Sequence, residues 1–125
     1  TALVAEVMHA IVAHNAHETC LTVEAGVIKV ADALDMSEGR SRIPFESGNV
    51  NIHSVSAKAV DSVEIEEGEA RPVRILITLA NSAGIYQVDE LLQKKLLTSS
   101  IKDYVEVVAK IEGETERRIV EMYRL

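Results

Sequence analysis

The sequence predicts an α+β fold: an N-terminal pair of helices, then a small antiparallel sheet unit in the order strand, strand, helix, strand, strand. Three observations predict it. Apolar residues before Pro44 recur at helical spacing, and those after it alternate. The alternating runs form two hairpins, and a short amphipathic stretch lies between them. Residues 1–43 are therefore read as the helical part and residues 44–125 as a small α+β domain.

The first helix spans roughly Thr1 to His14, with Leu3, Val4, Val7, Met8, Ile11 and Val12 marking the face expected to pack. The polar stretch Asn15 to Thr19 interrupts it, and Thr19 or Thr22 is available as an N-cap for the second helix. That helix carries Val23, Val27, Ile28, Ala31 and Leu34 on one face. It is expected to end at Gly39, a residue suited to the left-handed C-terminal turn. Pro44 then forbids helix. Ala57 to Val60 fits either a strand extension or a helical turn. Val63 to Ile65 leads into a turn over Glu66–Glu69. In the next strand Val73, Ile75, Ile77 and Leu79 alternate with Arg74, Leu76 and Thr78, and Leu76 implies partial cover on the second face. Asn81 to Gly84 is a loop. Val88, Leu91, Leu92, Lys95 and Leu96 mark the amphipathic helix. Val105, Val107, Ala109 and Ile111 mark a third strand, a turn follows at Glu112–Glu114, and Arg118 to Tyr123 form the last strand.

Composition narrows the function classes. Hydrophobic residues make up 47% and charged residues 26%, which is globular rather than disordered. Thirteen Lys and Arg against 20 Asp and Glu leave a net charge of −7, which argues against nucleic acid or an anionic membrane as partner. No apolar run reaches the ~18 residues of a spanning helix. The single Cys20 excludes an internal disulfide and a cysteine-based zinc site, and it suits a reducing cytoplasm.

Chemistry-bearing residues cluster in the first third. His9, His14 and His17 fall within nine positions, and the second helix adds Asp32 and Asp35. His14 and His17 stand three apart, a spacing that can share a helix face. Imidazole and carboxylate together suit Mn, Fe, Co or Zn, although His-x-x-His is a weak pattern and histidines near helix ends often cap the last carbonyls. Asp32 adjoins the apolar face, where a carboxylate is costly unless paired or bound to a metal; the alternative is an exposed position on the flank of that face. Lys29, Arg40 and Arg42 are the candidate phosphate contacts. The simpler role of the two arginines is to complement a helix C-terminus, worth about 0.3–1 kcal/mol. Lys94 and Lys95 read as a solvated face, Cys20 as a small buried hydrophobe and His53 as a loop residue.

The run Lys29-Val30-Ala31-Asp32-Ala33-Leu34-Asp35 resembles the terminal metal-ligand motif of HD-domain metal-dependent phosphohydrolases. Ala10 to Asn15 is similar to the helix end where many of these enzymes place a further histidine, often as a His-His pair. Asn15 stands where the second member would be. The resemblance covers about Val4 to Arg42. The family's earlier histidine and its His-Asp doublet do not occur in the sequence. The resemblance therefore implies the C-terminal portion of a longer phosphohydrolase, the helical pair being the end of its bundle. The apolar helix that opens at Thr1 without a preceding cap fits that expectation. Carried over residue by residue, Asp32 is the terminal metal ligand and His14 a second-metal or substrate ligand. The implied cofactor is a divalent ion (Mn, Mg, Fe, Co or Zn), and the implied substrate is a phosphorylated small molecule or nucleotide, hydrolysed by metal-activated water. The alternative is a non-catalytic ligand-binding or oligomerisation module. On either reading a homodimer is expected, since two helices alone cannot bury their own apolar face.

Overall fold

A computed structural model describes residues 1–36, 56, 58–112 and 117–123. Helix α1 spans Ala2–Ala13 and α2 Val23–Leu34. Strands β1 (Val60–Glu67) and β2 (Val73–Leu79) follow. A continuous helical run, α3, is built from Gly84–Gln87, a π segment Val88–Gln93 and Lys94–Leu97. A 3₁₀ turn over Lys102–Tyr104 leads into β3 (Val105–Glu112), and β4 is Arg117–Tyr123. The fold is α+β, with the strand–strand–helix–strand–strand order that the alternation predicts. The expected boundary near residues 43 and 44 lies outside the described residues, as do Gly39 and the turn at Gly113–Glu114.

The sheet order is β1-β2-β3-β4. Its two outer pairs are antiparallel hairpin partners, but the central pair β2–β3 is parallel, with Ile75 opposite Val107 and Ile77 opposite Ala109. The sheet is thus mixed rather than wholly antiparallel. The cause is α3: one helical traverse returns the chain to the end of the sheet where β2 began, so β3 runs the same way. Ile75, Ile77 and Leu79 of β2 and Val105, Val107 and Ala109 of β3 share one buried face. Val88, Leu92 and Leu96 of α3 and Val30, Ala33 and Met36 from the α2 side pack against it in a single hydrophobic cluster. Leu76, on the other face, is half-buried, as its position predicts.

Two expectations about α2 are corrected. The helix stops at Leu34, not Gly39: Asp35 leaves helical geometry at φ −75°, ψ 62°, and its amide still reaches the carbonyl of Asp32 at 3.3 Å. The face that packs is also largely a different one, although Leu34 of the expected face does pack against the core. Ala25, Gly26, Lys29, Val30 and Ala33 are buried, whereas Val23, Val27 and Ile28 remain exposed. Helix α1 behaves likewise. Leu3, Val4, Val7, Met8, Ile11 and Val12 are all more than half exposed, and the packed residues are Ala10 and Ala13, against Ala25 and Cys20. Small side chains let backbones approach closely, and here that contact takes precedence over the larger aliphatic stripe. Periodicity finds an apolar face; it does not rank two of them.

Closeness also explains the joint between helices and sheet. A Cβ on Gly26 would run into the hydroxyl of Ser100 and lie 3.0 Å from that of Ser99. Ser99 Oγ donates to the Gly26 carbonyl at 3.3 Å and Ser100 Oγ to the Thr22 carbonyl. The Cys20 amide donates to the Thr98 carbonyl at 3.1 Å. Residues 98–100 thereby tie the helical pair to the end of α3 through side-chain and backbone hydrogen bonds.

Candidate functional site

Thr22 starts α2 as its N-cap, its Oγ1 accepting from the Ala25 amide at 3.2 Å. Three residues apart on this helix, Lys29 and Asp32 go in different directions. Lys29 is fully buried, and its ammonium donates to the Glu18 carbonyl. Burial holds its pKa below the ordinary lysine range, Cys20 nearby opposes that shift, and the Lys95 cation adds to it. A lysine so placed braces the α1–α2 connection from inside rather than facing a solvent-borne phosphate. Asp32 is half-exposed, and its Oδ2 accepts from the ammonium of Lys95 on α3.

Lys95 is a residue that sequence reasoning misplaced. Its side chain is only 16% exposed in this ion pair, not part of a solvated surface. The signal was present: Lys95 stands in the apolar stripe of its helix, three residues after Leu92, where a charged group needs a partner.

The remaining candidates are dispersed. His14 lies exposed just past α1, its Nδ1 hydrogen-bonded to the carbonyl of Ile11. His9 Nε2 accepts from the Leu21 amide at 3.0 Å, which places the ring proton on Nδ1 and ties the connection back onto α1. His17 is exposed, and its amide donates to Asn15 Oδ1 at 3.2 Å. Cys20 is buried, with its thiol directed at the Ala13 carbonyl at 3.7 Å. Arg40, Arg42 and His53 lie outside the described residues. Among the described residues no three His, Cys, Asp or Glu side chains gather where they could hold a metal ion. These residues do not by themselves fit a metal site, and a cation already neutralises Asp32.

Two further features are unassigned by sequence reasoning. Glu106, which alternates with the apolar residues of β3, is 7% exposed. Its carboxylate accepts from the amides of Glu69 at 2.8 Å and Ala70 at 3.1 Å, and from Arg74 Nε at 2.9 Å. The Glu69 amide, chiefly, holds it below the usual carboxylate range against the opposing effect of burial; Arg74 and the Ala70 amide add to this. It pins the β1–β2 turn, where Gly68 is required because a Cβ would strike the Arg71 carbonyl. The second feature is a groove of about 300 Å³ between α1 and α2, lined by Leu3, Val7, Ala10, Ile11 and Ile28 and edged by Glu6 and Glu24.

No helix among the described residues is long and apolar enough to cross a membrane. No protein-family model matches the chain, and no solved structure matches it. An uncharacterized protein of Methanocaldococcus jannaschii is 50% identical over 109 residues, which are 87% of this chain and 42% of the relative. The chain spans less than half the length of the curated relative it matches.

Proposed function

We propose that this chain is the C-terminal portion of a cytoplasmic, metal-dependent phosphohydrolase, incomplete by itself, to which it contributes Asp32. The observation that carries the reading is α2. Its motif Lys29–Asp35 resembles that of the HD-domain enzymes, and it is apolar on two sides, one packed on the sheet and one open. An open apolar face on a helix whose other side is already packed calls for a further covering surface. A relative more than twice as long supports the existence of additional polypeptide to form such a surface. Further ligands would come from that additional polypeptide or from residues of this chain outside the described ones, since the described residues hold no cluster of their own.

The test is hydrolysis of p-nitrophenyl phosphate by the complete polypeptide in Mn²⁺. Asp32→Ala should abolish turnover, whereas Asp35→Ala, one turn on, should retain most of it. Undiminished turnover in Asp32→Ala defeats the assignment.

A second reading, an assembly module without catalysis, is favoured by one observation. Lys95 already satisfies Asp32, which makes the pair a structural ion bridge between α2 and α3. On that reading Asp32→Ala and Lys95→Met lose stability alike and no metal is involved.

A further inference from the structure

We propose that the groove between α1 and α2 receives an amphipathic helix of the same polypeptide, from beyond these 125 residues, whose Lys or Arg reaches Glu6 and Glu24. The inference rests on the longer polypeptide invoked above but not on its chemistry. Three observations converge on this occupant. Leu3, Val7, Ile11 and Ile28 present large aliphatic side chains to the groove while 48–73% exposed, and Val4, Met8 and Val12 extend the apolar surface along α1. Single exposed hydrophobes are ordinary; a contiguous face of this kind is a contact surface. The relative's further length supplies chain to cover it.

Charge then selects the occupant. Glu6 and Glu24 edge the same groove. The Glu24 carboxyl group and its charge raise the pKa of Glu6. A Lys or Arg arriving over the groove would meet both carboxyl groups at its edge. The helical pair cannot supply it: Lys29 is the one Lys or Arg in residues 1–36, and it is buried against Glu18. A two-fold contact between copies through this face would set acids against acids with no added cation, so a second copy is the poorer fit.

Ile11→Cys places a thiol in the groove, and Val7→Cys, one turn earlier, repeats the measurement should the first variant fold poorly. Each is labelled with a maleimide in the 125-residue chain and in the polypeptide encoded by the complete reading frame. Labelling should be about a hundredfold slower in the complete polypeptide, independent of protein concentration. Glu6→Gln with Glu24→Gln should return about tenfold of that protection. Asp32→Ala should leave labelling unchanged, so this proposal and the phosphohydrolase reading fail separately. Equal rates in the two lengths overturn the proposal, as does a reading frame with no further residues. Protection that grows with protein concentration identifies a second copy instead, and protection indifferent to the Gln pair removes the cation.

Discussion

Around Leu92, side chains from α2, α3 and the sheet close over one another, and Ile77, Leu79, Val88, Leu92 and Val107 lose all contact with solvent. On the outward side of α1 and α2, residues of the same chemistry stay open: Leu3 is 73% exposed and Ile11 61%. Both regions are aliphatic and both lie on regular elements. They differ in what faces them. The sheet meets helices on one side, whereas the helical pair spends its small residues, Ala10, Ala13 and Ala25, on a close contact and leaves its large ones unopposed. Apolar periodicity therefore marks a surface without fixing what faces it.

The sharpest way to break this comparison is a pair of truncations in the 125-residue chain. Leu92→Ala should cost about 2–5 kcal/mol by urea unfolding, through lost burial and the cavity left behind. Ile11→Ala should stay within about 0.5 kcal/mol, as for an open surface position. Comparable losses would mean that the outer face is already covered. A smaller effect belongs to the joint between the regions. Gly26→Ala should cost about 1–3 kcal/mol by overpacking against Ser99 and Ser100. A neutral result would show that the helical pair does not depend on its close seat.

The smallest effects are in pH, and they have opposite signs. Glu106 has a depressed pKa, so its contribution is present above the ordinary carboxylate range and is lost as pH falls through its folded value. Glu6 has a raised pKa, so its contribution is present below that range and is lost as pH rises through its folded value. Urea midpoints across the acid range should thus fall less steeply for Glu106→Gln than for wild type. Glu6→Gln should remove the weaker, opposite slope. A shared sign for the two variants would contradict the environments assigned to them.

Strand β2 was legible to the residue, because alternation over Val73–Leu79 has one interpretation and Pro72 bounds it. The parallel β2–β3 pair was not, since strand direction depends on how many times the intervening chain crosses the sheet. Helix α3 begins at Gly84, four residues before its apolar stripe, because Asn81 Oδ1 takes the Ala83 amide at 3.0 Å and turns the loop straight into helix. The candidate site was half legible. Asp32 was singled out correctly as a carboxylate in need of a partner, but its partner, Lys95, lies 63 residues on and is found only through tertiary packing. Spacing makes Lys29 a candidate phosphate contact beside Asp32, yet the small residues around it, Ala25, Gly26 and Ala33, leave room for a long stem to run inward to Glu18.

The central claim is that α2 carries a metal ligand whose companions lie elsewhere in a longer polypeptide. Elemental analysis of the complete polypeptide, purified with wild-type sequence, with Asp32→Ala and with Asp35→Ala, tests it most directly. The account predicts stoichiometric divalent metal in wild type and in Asp35→Ala, and its loss in Asp32→Ala while the folded state persists. Equal metal content in wild type and Asp32→Ala would contradict it and leave the Asp32–Lys95 pair as a structural bridge.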